Sequence, residues 1–141
     1  MNSERQENHS LLTASLFIIY PSSMSNITLY GIKNCDTVKK AITWLTARKI
    51  AFDFHDYKTQ STTESKLKTW SAQVGWEVLL NKKGTTWRKL DSTIQASVTN
   101  EKAAIALMLA NTSIIKRPVI EQNNKVLVVG FDEKSYSEKV K

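Results

Sequence analysis

Apolar and polar residues follow a strand-like and then a helix-like pattern in the segment that begins near Asn26. Ile27 and Leu29 alternate with polar neighbours, and apolar positions then recur every three or four residues from Asp36 to Lys49. Alternation returns over residues 52–57. The order strand, helix, strand predicts a right-handed parallel βαβ unit, with Gly31 allowing the first turn.

Helical periodicity dominates the middle of the chain. Ser61 and Glu64 have the spacing of a capping box, with Ser61 as the predicted N-cap. The helix that follows carries apolar residues on one face and is expected to stop at Gly75. A second helix is predicted over Asn100–Ala110, where nearly continuous apolar residues indicate deep burial.

The last part of the sequence predicts a hairpin and a short helix. Residues 119–121 and 125–129 have strand character, and residues 122–124 supply turn chemistry between them. Asp132 is placed to cap a terminal helix. The complete order predicts an α/β, thioredoxin-like fold with a helical insertion between the N-terminal βαβ and the C-terminal β-hairpin plus helix.

The composition indicates one folded domain. The chain has 141 residues, of which 41% are hydrophobic and 23% charged. Residues 1–24 differ from the rest, and their ten-residue apolar-leaning run, Leu11–Tyr20, is too short to span a bilayer. We expect residues 1–24 to be a flexible extension or the product of a start codon assigned too early, and residues 25–141 to form the domain.

Charge and cysteine usage limit the possible functions. The net charge of +7 favours anionic partners of some kind. Cys35 is the only cysteine, which excludes an intrachain disulfide and a cysteine-rich zinc site and favours a reducing, cytoplasmic location. The sequence has neither metal-ligand spacing nor a glycine-rich phosphate loop, so we expect no metal and no tightly bound cofactor.

Cys35 is the first candidate for chemistry. A single cysteine is most often an inert, buried residue. Here it lies where a strand turns into a helix, beside the polar Asn34, so that unpaired N–H groups of the helix face its sulfur. Together with Lys39, one turn further on, they are expected to lower the thiol pKa. We therefore predict that Cys35 is a nucleophile and that Asn34 and Lys39 belong to its substrate site.

Arg117 and Pro118 form the second candidate, just before the predicted hairpin. They are either a solvated basic residue with a proline at a strand edge, or a fixed anion donor with a cis proline that shapes a substrate groove. We predict the second role. Arg88 is a further candidate anchor, although it is equally compatible with a surface position beside a packed Trp87. His55 is expected to be an exposed residue of an edge strand and not a base for Cys35.

These segments resemble a known family. The stretch from Thr28 to Ala41 around Cys35, together with Lys116-Arg117-Pro118 and Val129-Gly130-Phe131, is similar to the arsenate reductase (ArsC) superfamily, and within it to the YffB-type and Spx-like branch. The resemblance implies that Cys35 is the nucleophile and that Arg117 contacts an oxyanion. Arsenate reductases of this type use three arginines, whereas Asn81 and Gly130 stand at the other two matching positions, so arsenate is not the expected substrate.

Two functions follow from the residues and the resemblance. The first is a glutathione-dependent thiol reductase, in which external glutathione resolves the adduct on Cys35 because the chain has no second thiol. The alternative is an Spx-like regulator that binds RNA polymerase or another protein without catalysis. Spx proteins often carry a second cysteine three residues after the first, where this chain has Val38, so an internal disulfide switch is excluded. We expect a monomer that binds neither membranes nor nucleic acid directly.

Overall fold

The structure is a computed structural model of the chain, and it describes residues 26–141. The predicted extension, residues 1–24, lies outside the described residues. Its nature and the start of the domain therefore stay predictions.

The described residues form four strands and a series of mostly short helices. In chain order they are β1 (Ile27–Gly31), α1 (Asp36–Ala47), β2 (Phe52–Asp56), α2 (Tyr57–Gln60), α3 (Glu64–Val74), α4 (Trp76–Leu79), α5 (Thr85–Arg88), α6 (Ser92–Ser97), α7 (Glu101–Ala110), a 3₁₀ turn (Thr112–Ile114), β3 (Val119–Gln122), β4 (Lys125–Val129) and α8 (Glu133–Lys139).

The sheet has the strand order β2-β1-β3-β4. Strand β1 pairs in parallel with β2 and antiparallel with β3, and β3 and β4 form the predicted hairpin. Asn123 and Asn124 make its turn with φ of 51° and 67°, the left-handed values that asparagine tolerates well. The predicted thioredoxin-like fold is confirmed, with α2 to α7 as the insertion between the βαβ unit and the hairpin.

Alternation along the strands separates two apolar clusters. Ile27 and Leu29 of β1 face α1 and α8, whereas Tyr30 faces the inserted helices. We call these the α1-side cluster and the insertion-side cluster. The α1-side cluster buries Ile27, Leu29, Val38, Ala41, Trp44, Leu45, Ile120, Val128, Tyr136 and Val140. The insertion-side cluster includes Tyr30, Tyr57, Leu67, Trp70, Leu79, Leu80, Met108, Ile114, Ile115 and Val119.

Two local predictions were wrong. Gly31 is the last residue of β1, and its role is close packing: a Cβ there would lie 2.7 Å from Cγ2 of the fully buried Val38. Ser61 does not cap α3. It lies at φ 53° after α2, and Thr63 is the N-cap, with Oγ1 accepting a hydrogen bond from the Lys66 amide at 3.1 Å.

Candidate functional site

Cys35 lies at the junction between β1 and α1. Its backbone is extended, with φ −146° and ψ 122°, and it occupies the N-cap position of α1. The half-buried side chain packs against the edge of the α1-side cluster. The backbone N–H groups of the first turn of α1 therefore face the sulfur, as the strand-to-helix turn predicted.

Arg117 reaches this junction from the other half of the chain. The segment before it is held against the insertion by a bridge between Leu80 and Ile115 and by the Lys116 amide, which donates to the Leu79 carbonyl at 2.7 Å. The peptide bond between Arg117 and Pro118 is cis, as predicted, and β3 begins directly afterwards beside β1. The antiparallel pairing of β1 and β3 thus brings the predicted basic residue next to the predicted nucleophile.

The surroundings of Cys35 favour its thiolate. Partial burial raises the pKa of the thiol. The N–H groups of Val38 and Thr37 and the guanidinium of Arg117 lower this pKa, and together they outweigh the effect of burial. The net result is a Cys35 pKa below its ordinary value. A larger fraction of this thiol is therefore ionised near neutral pH than of a free cysteine.

A hydrogen bond to the backbone holds the guanidinium of Arg117 in place. Its Nη1 donates to the Ser113 carbonyl at 2.6 Å, while its Nε is buried without a hydrogen-bond partner among residues 26–141. The Tyr57 hydroxyl is likewise buried and unpartnered in that range. Burial raises the pKa of Tyr57, and the charge of Arg117 opposes part of that rise. Sequence reasoning missed Tyr57 because a tyrosine at the end of a predicted strand gives no sign that its hydroxyl is buried and affected by a distant guanidinium.

Of the other predicted site residues, two are chain neighbours of Cys35 and Arg117, and two are exposed on helices. Pro118 is buried beside Arg117, and Asn34 is exposed beside Cys35. Lys39 is exposed on α1, and the groups that lower the Cys35 pKa do not include its ammonium. Arg88 is exposed at the end of α5, where its Nη2 donates to the Lys83 carbonyl at 2.6 Å. This hydrogen bond ties Arg88 to the loop of residues 81–84 between α4 and α5.

His55 differs partly from its prediction. It lies in β2, an edge strand, as expected. The imidazole is half-buried and not exposed: its ring centroid is 4.7 Å from that of Tyr30, and Nε2 is 2.6 Å from the Ser61 carbonyl oxygen. The burial comes from stacking on Tyr30, which a strand pattern alone does not reveal.

Asn81 and Gly130, the residues predicted to stand where arsenate reductases have arginines, have structural contacts here. The backbone N–H of Asn81 donates to the Ile114 carbonyl at 2.9 Å, and the side-chain Oδ1 of Asn81 accepts from the backbone N–H of Lys83. Gly130 has φ +91°, and its N–H donates to the Pro118 carbonyl at 2.7 Å. Both residues thus support the segment that carries Arg117.

Within residues 26–141, no group of three or more His, Cys, Asp or Glu side chains could hold a metal ion. In the same range, none of the helices combines the length and the apolar character that a membrane span requires.

The fold and the site together define a class: a thioredoxin-like domain with one cysteine at a helix N-terminus and one arginine beside a cis proline. The chain belongs to the ArsC family, whose model matches residues 30–139. The resemblance seen in the sequence is thereby confirmed.

Three similar proteins illustrate the range of the family. A protein of Haemophilus influenzae with no assigned function is 46% identical over 110 residues, covering 78% of this chain and 95% of its own. The solved structure of a protein named YFFB is 47% identical, with a TM-score of 0.77, and the match covers 82% of this chain and 99% of that one. The global transcriptional regulator Spx of Streptococcus mutans is 28% identical over 109 residues, 76% of this chain and 77% of the regulator.

Proposed function

We propose that this protein is a glutathione-dependent thiol reductase with Cys35 as its single nucleophile. The observation that carries the proposal is the convergence of two α1 amides and the Arg117 guanidinium on one half-buried sulfur. These groups favour the form of the thiol that attacks disulfides. A cytoplasmic location belongs to the proposal because free thiols and glutathione stay reduced there.

The reaction consists of two thiol–disulfide exchanges. The Cys35 thiolate attacks one sulfur of a substrate disulfide, and the substrate S–S bond breaks as a new S–S bond forms on Cys35. The other half of the substrate leaves as a thiolate that takes a proton from water. Since the chain has no second cysteine, a glutathione thiolate must attack the adduct and release Cys35. With a glutathione mixed disulfide as substrate, the product of the second step is glutathione disulfide.

Arg117 contributes charge at the sulfur. Its guanidinium stabilises the attacking thiolate and the thiolate that Cys35 becomes again when glutathione releases it. In this proposal Asn34 and Pro118 belong to the substrate site around the sulfur. With no arginine at positions 81 and 130, one cation serves where three would be needed to hold a tetrahedral arsenate.

The test is adduct formation followed by intact mass. Incubation with glutathione disulfide should add one glutathione per chain, and fresh glutathione should remove it. Cys35→Ser should show neither the adduct nor catalytic reduction of a small disulfide. A wild-type chain that stays unmodified at neutral pH, or a Cys35→Ser variant that keeps its rate, would sink the proposal.

A regulatory role is the second candidate, and the similarity to a transcriptional regulator favours it. A regulator of this kind would bind RNA polymerase or another protein through its surface. Co-purification with polymerase should then survive Cys35→Ser, and a pull-down without polymerase would count against the role.

A further inference from the structure

A groove of about 560 Å³ runs along the outer face of α1, next to the start of α8. We call it the basic groove. Its principal lining residues are Lys39, Lys40, Trp44, Arg48, Phe131 and Glu133. No interaction described so far uses it, and its volume is within the range of ligand-binding clefts.

The charge of the groove is strongly one-sided. Lys39, Lys40 and Arg48 are exposed, and within residues 26–141 none of them makes an ion pair. Glu133 is the single acidic side chain of the lining. Within the described residues, the lining thus has three cations without an ion pair and one carboxylate, which favours an anionic occupant.

Trp44 contributes apolar surface to the lining of the groove. Trp44 is only 5% exposed, and its indole Nε1 is buried without a hydrogen-bond partner in the described part of the chain. The Arg48 guanidinium lies 4.0 Å from the centroid of the Trp44 ring. An occupant with both apolar surface and hydrogen-bond acceptors, such as carbonyl or carboxylate oxygens, complements this lining.

The groove begins close to the nucleophile. The Lys39 amide donates to the Cys35 carbonyl at 3.0 Å, so Lys39 is one helical turn from Cys35. At 1.5 Å per residue, Arg48 is about 20 Å from Cys35 along the helix. An extended peptide covers that distance with about six residues. A tripeptide bonded to Cys35 through its central sulfur is too short to reach the far end.

We propose that the basic groove binds an acidic protein segment whose oxidised cysteine reacts with Cys35. The inference rests on the proposed function and names its substrate class: proteins with a glutathione mixed disulfide followed by acidic residues. The Cys35 thiolate attacks the glutathione sulfur of that disulfide, forms the Cys35–glutathione bond and releases the protein cysteine as a thiolate, which water protonates. A second glutathione then restores Cys35 and leaves as glutathione disulfide.

The experiment compares two synthetic peptides that carry a cysteine–glutathione disulfide followed by six residues. One contains aspartates and glutamates and the other lysines at the same positions. At low salt the acidic peptide should react with Cys35 about tenfold faster, and high salt should remove most of the difference.

Charge reversal locates the preference. Lys40→Glu with Arg48→Glu should slow the acidic peptide by about fivefold to tenfold and leave 2-hydroxyethyl disulfide, a neutral substrate, unaffected. The control is Lys102→Glu with Lys125→Glu, which changes the net charge equally at exposed sites outside the groove. If both double variants slow the acidic peptide equally, the preference comes from net charge and the groove proposal is wrong.

Binding without chemistry separates this proposal from the proposed function. Fluorescence anisotropy of a labelled acidic peptide with serine in place of cysteine should show binding to Cys35→Ser that Lys40→Glu with Arg48→Glu weakens. Equal binding of acidic and basic peptides would overturn the groove proposal even if Cys35 takes up glutathione. Failure of Cys35 to take up glutathione would refute the reductase but leave this measurement interpretable.

Discussion

At the scale of single residues, the reactivity of Cys35 depends on one side chain remote in sequence. The amides of α1 act on the sulfur wherever the helix forms, but Arg117 contributes only after β3 has paired with β1. The two contributions can be separated by removing the guanidinium alone.

Arg117→Met should move the pH midpoint of Cys35 alkylation by iodoacetamide upward. The wild-type midpoint is expected below the value of about 8.5 for a free thiol, because the folded chain favours the thiolate. Methionine removes the positive charge and leaves the helix amides, so the midpoint of the variant should lie between that of the wild type and that of a free thiol. Arg88→Met is the matched control, since Arg88 bonds to the Lys83 carbonyl and should leave the midpoint unchanged. Identical midpoints for wild type and Arg117→Met would contradict the assignment.

Gly31→Ala should destabilise the domain. The added Cβ would be placed 2.7 Å from Cγ2 of Val38, whose side chain is fully buried, and such overpacking costs about 1–3 kcal/mol. Urea unfolding provides the measurement. Gly31→Ala should lower the free energy of unfolding less in a Val38→Ala background than in the wild type, because the smaller side chain makes room for the new Cβ. Simple additivity in this double-mutant cycle would show that the two side chains do not compete for space.

At the scale of secondary-structure elements, a buried carboxylate links the sheet to the insertion. Glu121 of β3 accepts hydrogen bonds from Tyr30 Oη at 2.7 Å, Trp70 Nε1 at 3.0 Å and Lys66 Nζ at 2.9 Å. Burial raises the pKa of the Glu121 carboxyl, but these donors outweigh it and hold the pKa below its usual range. The cluster therefore joins β1, β3 and α3 through one ionised group.

Glu121→Gln should lower the free energy of unfolding by about 2 kcal/mol near neutral pH, because the amide cannot accept all three bonds and leaves Lys66 without its counter-charge. Since the folded-state pKa is depressed, the stabilisation from Glu121 is complete above the unfolded-state pKa and is lost as the pH falls through the folded-state value. The difference between wild type and variant should thus shrink in acid.

Glu64→Gln provides the comparison for Glu121→Gln. Glu64 pairs with Lys68 on the exposed face of α3 and should contribute less than about 1 kcal/mol. Urea unfolding of both variants from pH 3 to 7 checks the prediction. A stability difference for Glu121→Gln that does not change over this range would show that its ionisation is not what joins the elements.

Sequence reasoning was most successful for elements with a long or distinctive pattern. It predicted α1, α3, α7, the hairpin and α8, where periodicity or caps such as Asp132 mark the element. The short helices α2, α4, α5 and α6 have four to six residues, too few to establish a period, and sequence reasoning does not predict them. The strand predicted over residues 52–57 ends at Asp56, because Tyr57 begins α2. Spacing alone predicts Ser61 as a cap, because it does not show that the Ser61 backbone has a left-handed φ of 53°.

The site shows the same limit. Cys35 and Arg117 stand at turns that sequence patterns mark, and their proximity follows from the topology that those patterns imply. The burial of Tyr57 and Glu121 depends on packing between distant elements, so no local pattern predicted it. The roles of Lys39 and Arg88 in the chemistry stay predictions. Lys39 lines the groove on α1, and Arg88 donates a hydrogen bond to the Lys83 carbonyl.

At the scale of the whole molecule, β1 is shared by both apolar clusters and by both halves of the site. Side chains on one face of β1 pack in the α1-side cluster and those on the other face in the insertion-side cluster, and β1 pairs with β2 on one edge and β3 on the other. The α1-side cluster draws on both ends of the domain, and the inserted helices cover the other face.

The shared strand also makes Cys35 an intrinsic reporter of assembly. A chain in which β1, α1 and β2 have formed but β3 has not docked would hold the sulfur at a helix end without its guanidinium. Pulsed thiol labelling during folding would then distinguish that partly assembled species from the native domain by labelling rate, at one site and without an added probe. The lone cysteine ensures that every labelled molecule reports the same event.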